Sequence, residues 1–451
     1  MSSRRHQEAF GIAAHAAGQG RLDGPIARSA VGRADDRPET GEVLPQSGVD
    51  RRNHPTDRVG VLEAGDADQE VGGSEICQPL YRVAGDDGIG VVSRRRHSGS
   101  RVGYPAERMR IGQVAPPWVS VPPKGYGGTE LVVALLTDGL VDRGHDVTLF
   151  STGDSRTKAR LEYVFDWAEG PPAINSIFHD TVHQAFVHRD LSRFDLLHQH
   201  VYWSGLVAGM GAGIPVVHTL HRHFSDQMRR IYELVGDRLW FVAISEDQRS
   251  HMPDLRYAGV VYNGIDTSVY PLREQKDDFL LFIGRVDPAK GPLRAAEAAR
   301  ISGLPLVMAV KVASDVEREH WERDVKPALP EGTKIASEIP HEEKVDLMSR
   351  ARALLFPIDW DEPFGLVQTE AMACGTPVIA TPRGAVPEVI EDGVTGFIVP
   401  VDDYAEASVD AIKRTDEIDP RDCRRRVEER FSAEAMVAGY EACYERILAA
   451  E

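Results

Sequence analysis

The chain has 451 residues, more than one ordinary core holds, so two or three folding units are expected. Hydrophobic residues make up 42%, yet no apolar run approaches the roughly 18 residues that span a bilayer, which argues against a membrane-embedded protein. A formal net charge of -18 argues against a general nucleic-acid binder; it leaves room for a local basic pocket around a phosphate and for peripheral contact with the inner face of a membrane. The N-terminus lacks a sustained apolar stretch and reads as no signal peptide. Four widely spaced cysteines (Cys77, Cys374, Cys423, Cys443), without CxxC or zinc spacing, fit a reducing cytoplasm.

Residues 1–108 stand apart. They hold fifteen arginines and no lysine, and their short apolar runs keep neither helical nor strand periodicity. Such a composition buries too little apolar surface to fold. It reads either as a disordered tail or as an extension upstream of a true start at Met109. The arginine-only bias, typical of translated GC-rich DNA, favours the extension, so a chain beginning at Met109 is expected to fold unaided.

From Met109 an α/β alternation begins. RIGQVAPP predicts a strand. GGTELVVALLTDGLVDRG predicts a helix, with Leu131, Leu135, Leu136 and Leu140 at helical spacing and Gly144 as its stop. HDVTLFST is the next strand, followed by a polar helical stretch. FDLLHQH, IPVVHTL, LWFVAIS and AGVVYNGI are short runs that suit a parallel sheet covered on both faces. After a charged linker the theme repeats. DFLLFIGR, LPLVMAVKV, TKIASEI, ALLFPI, PVIAT and GFIVP predict strands. PLRAAEAARISG, DVEREHWERDVKPAL, HEEKVDLMSRA, EPFGLVQTEAMACG, AVPEVIEDG and a last stretch over about 432–449 predict helices. The expectation is two Rossmann-like domains, 109–272 and 273–451, facing a cleft, with the last helix crossing back to the first. Ligands in such sheets sit at the strands' C-terminal ends.

Several residues there carry chemistry. In DEPFGLVQTEAMACG, Glu362 and Glu370 flank a Pro-Phe-Gly turn through Phe364. The turn leaves the amides of Gly365, Leu366 and Val367 at a helix N-terminus, where an anion is favoured. Glu362 can reach a sugar hydroxyl and Glu370 a ribose; alternatively both are helix-end carboxylates serving the macrodipole. In FIGRVDPAKG, Gly284 and Arg285 end a strand and Lys290 follows on the loop. Two cations there suit a departing diphosphate, or form a solvated basic loop. Gly127 and Gly128 make the first strand–helix turn, where a backbone can approach a phosphate. Lys124 and Tyr126 stand on the same loop, within reach of an acceptor. His218 ends the strand IPVVH and points into the cleft. His198, His200, His221 and His223 are acceptor contacts or polar loop residues. A zinc site is not expected, because no acidic or cysteine ligand joins the histidines.

EPFGLVQTEAMACGTPVIAT, followed by RGAVPEVIEDGVTGFIV, resembles the donor-site block of the family 4 retaining glycosyltransferases of GT-B fold. Glu362 and Glu370 stand where that family has its Glu-x7-Glu element, and the likeness runs from Met109 to Ala450. It implies a nucleoside-diphosphate-sugar donor, an acceptor hydroxyl on a saccharide, lipid or small metabolite, and retention of anomeric configuration. Arg285 and Lys290 would hold the leaving diphosphate, Lys311 would add a base or diphosphate contact, and His218 would approach the donor sugar. Neither cofactor nor metal is implied. Val310 departs from the family's usual small residue. The likeness also implies front-face attack, with the leaving phosphate taking the acceptor proton and the protein supplying position and charge. Asn263, Gly264 and Asp266, and Ser245 with Glu246, read as structural. The competing readings are a sugar-nucleotide epimerase on the same fold, a non-catalytic nucleotide-sugar module and, less well supported for want of GxGxxG, an NAD-dependent oxidoreductase.

Overall fold

The computed structural model describes residues 108–451, apart from 126, 171–175 and 338. The expectations for the segment preceding Met109 and for Tyr126 therefore fall outside the described residues. Both sheets belong to one compact unit.

The first sheet has seven parallel strands: β1 (Arg110–Val114), β2 (Asp146–Ser151), β3 (Arg160–Tyr163), β4 (Leu196–Gln199), β5 (Val216–Leu220), β6 (Trp240–Ala243) and β7 (Tyr257–Val260). Their order is β3-β2-β1-β4-β5-β6-β7. The second sheet repeats the scheme with β8 (Leu280–Arg285), β9 (Leu306–Lys311), β10 (Lys334–Ser337), β11 (Ala353–Phe356), β12 (Val378–Ala380) and β13 (Gly396–Ile398), ordered β10-β9-β8-β11-β12-β13. Strand order reverses between β1 and β4 and again between β8 and β11. Loops diverge at such a switch point and open a crevice at the strands' C-terminal edge. Central strands such as β4 and β11 are buried at every position, which is why their sequences carry no alternation.

The helix Gly128–Asp142 follows β1. Val132, Leu136 and Leu140 face the core, and Gly144, at φ 92°, turns the chain away. The helix Ala433–Ala450 starts on a Ser432 cap and lies against the first sheet, not the second. Its Val437, Tyr440, Tyr444 and Ile447 share a core with Ile111, Val132 and Val217. Gly139 makes this packing close: a Cβ there would stand 2.5 Å from Val437 Cγ2.

Three expectations need correction. The polar stretch after β2 contains β3, an edge strand whose half-buried, mixed sequence RLEY hides its periodicity, before the helix Ile177–Val187. DVEREHWERDVKPAL is not one α-helix: α-turns over Asp315–His320 give way to a wider π turn over Trp321–Val325, then Lys326–Ala328. AVPEVIEDG forms only the turn Val386–Val389, whereas the helices Tyr404–Lys413 and Pro420–Arg430 were not anticipated.

Candidate active site

On the second sheet, β8 delivers Arg285 to the C-terminal edge, level with Lys311 at the end of β9. A tight turn, Pro288–Lys290, follows; Asp287 caps it by accepting from the Ala289 amide at 2.9 Å. Gly291 closes the turn at φ 73°, and a Cβ there would lie 2.0 Å from the Pro357 carbonyl oxygen. The Lys290 loop is thus pressed onto the segment after β11, where Asp359 donates its amide to the Ala289 carbonyl at 2.8 Å. Lys290 donates to Glu362, and its ammonium lies 4.4 Å from the centroid of the Trp360 ring. Arg285 donates to Glu317, a buried carboxylate that also accepts from the Ala313 amide at 2.7 Å.

The Pro-Phe-Gly turn is built as its sequence suggests. Phe364 is buried as an anchor, and Gly365, at φ 82°, opens the helix Leu366–Ala373, whose first amides have no intrahelical partner. Glu362 is fixed from behind. Ala385 donates to its carbonyl at 2.9 Å, and Gly384 packs so near that a Cβ would meet the Glu362 backbone oxygen at 2.3 Å. Glu370 lies on the same helix but deeper. It is buried and accepts from the Tyr270 hydroxyl at 2.9 Å and from Lys344 at 2.7 Å. The expected pair is therefore split: Glu362 sits at the rim beside Lys290, while Glu370 is held in a buried network.

The first sheet supplies the facing side. A Cβ on Gly128 would stand 3.4 Å from Leu366, so the first glycine turn meets the donor-side helix. Gly127 precedes it as the helix N-cap, and Lys124 pairs with Asp154 at 3.0 Å. His218 does not end its strand. It lies in the middle of β5, fully buried between the rings of Tyr232 and Phe241, because the apolar run continues through Thr219 and Leu220. The residue that β5 delivers to the edge is His221. Its Nε2 lies 2.8 Å from Nδ1 of His200, the residue following β4. Burial depresses the basicity of both rings, to about 3 for His221 and well below the ordinary value for His200. His223, two residues on, sets its ring 5.4 Å from Trp360 and so meets the donor side across the cleft. Nearby, Arg222 lies 3.9 Å from the Tyr202 ring centroid; burial raises the Glu130 carboxyl, and Arg222 partly offsets that.

Four participants escaped sequence reasoning. Trp360 joins Lys290 to His223; its only signal was an aromatic two residues before Glu362. Glu317 and Lys344 lie on helices that read as ordinary polar surface. Glu388, in the RGAVPE segment, crosses to the first half, accepting from the amides of Glu246 and Asp247, both at 2.8 Å, and from the Tyr262 hydroxyl at 2.9 Å. Ser245, in the same place, caps its helix through Gln248 at 3.1 Å. Among the described residues, no group of three or more His, Cys, Asp or Glu side chains is arranged to hold a metal ion. Nor is any described helix long and apolar enough to cross a membrane.

Two sheets of Rossmann order opening on a cleft at their switch points have the GT-B arrangement. Comparison with known proteins agrees. Residues 126–269 match Glycosyltransferase Family 4, and residues 269–430 match Glycosyl transferases group 1. The chain is 28% identical over 345 residues to a D-inositol 3-phosphate glycosyltransferase of Kribbella flavida, covering 62% of this chain and 81% of that one. AviGT4, a glycosyltransferase involved in avilamycin A biosynthesis, superposes with a TM-score of 0.57 at 26% identity over 76% of this chain and 99% of its own. HepE from Anabaena, solved with UDP and glucose, shares the fold at 19% identity and a TM-score of 0.58, over 73% and 98% of the two chains. The chain belongs to the family 4 glycosyltransferases of GT-B fold.

Proposed function

We propose that this glycosyltransferase takes its sugar from a nucleoside-diphosphate-sugar, retains the anomeric configuration and needs no metal. The observation that carries this reading is the grouping of Lys290, Glu362 and Trp360 beside the open helix N-terminus at Gly365, with Arg285 and Lys311 on the adjoining strand ends. A diphosphate is the ligand that fits fixed cations and unpaired helix amides together. Carboxylates now hold two of these cations. An incoming diphosphate takes Lys290 from Glu362, which frees the carboxylate at the moment a sugar hydroxyl arrives to be bound. HepE, which shares the fold, binds UDP and glucose, and that supports a nucleotide donor.

In the reaction, Arg285, Lys290 and the Gly365–Val367 amides stabilise the charge that grows on the leaving diphosphate. Gly127 and Gly128 let the backbone close over it, and Gly284 keeps the strand end open beside it. Phe364 anchors the turn, and Glu370 faces the ribose from its buried network. The approach to the sugar expected of His218 passes to His221, which stands at the strand edge. The acceptor hydroxyl enters from the first sheet, past Lys124 and Arg222, and attacks on the face the diphosphate leaves, so the phosphate takes its proton. No side chain then has to act as a strong base.

Titration calorimetry with UDP, GDP and ADP, followed by donor turnover with the matching sugar nucleotide, tests this reading. Micromolar binding of one diphosphate, release of free diphosphate only when an acceptor is added, and a product with the donor's anomeric configuration are expected. Release without acceptor as free 2-epimer would instead support the epimerase. Absence of binding to all three would overturn the donor assignment.

A further inference from the structure

Behind His221 runs a buried chain of hydrogen bonds whose direction is set by the orientation of the Gln113 amide. His221 Nε2 meets His200 Nδ1 at 2.8 Å, and His200 Nε2 meets the Gln113 amide oxygen at 2.8 Å. The other end of that amide donates to the Tyr444 hydroxyl at 3.0 Å. Tyr444 lies 2.7 Å from His198 Nδ1, and His198 Nε2 lies 2.7 Å from Thr219 Oγ1. Gln113, His198, His200 and Tyr444 are all 0% exposed, so water does not compete for these bonds.

Each link determines the next. An amide oxygen can only accept, so His200 carries its proton on Nε2. Burial keeps that ring neutral, which leaves His200 Nδ1 as a lone pair. His221 must then carry its own proton on Nε2, and its Nδ1 is left as an acceptor, without a partner among the described residues. On the far side Tyr444 accepts from Gln113 and donates to His198 Nδ1, and His198 Nε2 donates to the Thr219 hydroxyl. Turning the Gln113 amide over would reverse every one of these protons.

We infer that Gln113, held by Tyr444 from the C-terminal helix, fixes the tautomer of His221, so that His221 presents an acceptor nitrogen to a ligand hydroxyl. Gln113, His200 and Tyr444 are positioning residues in this scheme. The role depends on His221 being the residue that approaches the transferred sugar, as proposed above. The tautomer itself is a property of the free protein. A wrong donor assignment would leave it unchanged, and the two ideas fail separately.

The test is long-range proton–nitrogen correlation NMR on the full chain labelled with ¹⁵N-histidine, with His221→Gln used to assign the ring signals. The expected result is a protonated Nε2 and an unprotonated Nδ1 on His221. A proton on Nδ1, or an averaged signal, overturns the inference. Gln113→Leu removes the acceptor. It is expected to average the His221 signals and to lower kcat/KM for the donor about tenfold or more, since a mis-set tautomer loses the acceptor that meets the ligand hydroxyl. Tyr444→Phe keeps Gln113 but removes its anchor and is expected to shift the same signals, with a smaller loss of kcat/KM. If Gln113→Leu does not fold, the parent spectrum and Tyr444→Phe decide the matter. Unchanged His221 signals in both variants would overturn it.

Discussion

The two sides of the cleft solve the problem of polar groups near a core in opposite ways. The second sheet uses opposite charges in contact, Lys290 with Glu362, Arg285 with Glu317 and Lys344 with Glu370, at the rim or just beneath it. The first sheet uses neutral rings. His183, His198, His200, His218 and His221 are all held so that burial pushes their pKa down, and most are satisfied by hydrogen bonds. Charges that can exchange partners suit an anion that comes and goes. Neutral donors and acceptors suit hydroxyl groups, whose position matters more than their charge.

Acid should break this contrast most severely. The unfolded chain protonates its histidines near pH 6.5, while the folded rings resist protonation to about 4 for His183 and about 3 for His218 and His221. Their stabilisation is therefore complete above pH 6.5 and is lost as pH falls toward those values. At pH 5.5 the loss is about 1.4 kcal/mol for each such histidine. Asp180 acts in the opposite sense: burial raises it to about 6, so its contribution is present at low pH and fades as pH rises through 6. Glu130 and Asp247, also raised by burial, act with Asp180, but three carboxyls do not offset five histidines. Hydrogen exchange, corrected for intrinsic rates, should show β4 and β5 opening before β11 and β12 between pH 7 and 5.5. Uniform opening would erase the distinction.

Lys290→Ala sharpens the other side. Removing one preorganised cation from the developing charge is expected to cost roughly 3 kcal/mol, about 10²-fold in kcat, with melting temperature preserved. Steady-state kinetics within threefold of the parent would remove Lys290 from the reaction. A smaller effect is expected from Glu388→Ala, which frees two amides and a tyrosine hydroxyl bridging the halves. A loss of about 1–2 kcal/mol in thermal stability follows from those unpaired groups, and diphosphate affinity should weaken with it. The smallest effect concerns metals: EDTA is expected to leave turnover unchanged. Full loss, restored by Mg²⁺ or Mn²⁺, would mean that the cations of the second sheet do not suffice.

Much of this architecture was legible. Apolar runs separated by helical spacing revealed both sheets, since strands buried on two faces need no other signal. The donor side was legible because its residues are close in sequence: Glu362, Phe364 and Gly365 fall on one turn, and Arg285 and Lys290 flank another. The acceptor side was not, because its parts meet only in three dimensions. Nothing in VVHTLHRHF distinguishes His218 from His221 except where the strand stops. That depends on a two-residue extension through Thr219 and Leu220, packed beneath neighbours from other strands. β3 escaped for the reverse reason, being an edge strand with little buried surface to advertise it. Glu317 and Glu388 look like helix-surface carboxylates until their partners, 32 and 142 residues away, are seen.

The helix Ala433–Ala450 also bears on the order in which the molecule can be made. It completes the floor of the first half, and the hydrogen bond from Gln113 to Tyr444 spans 331 residues. During synthesis β1 leaves the ribosome early, yet Ile111, Val132 and Val217 lack part of their cover until residue 447 has emerged. The second half, whose core lies within residues 244–431, can close before then. The sheet made earlier is thus the one finished later, and until then part of its apolar core stays open.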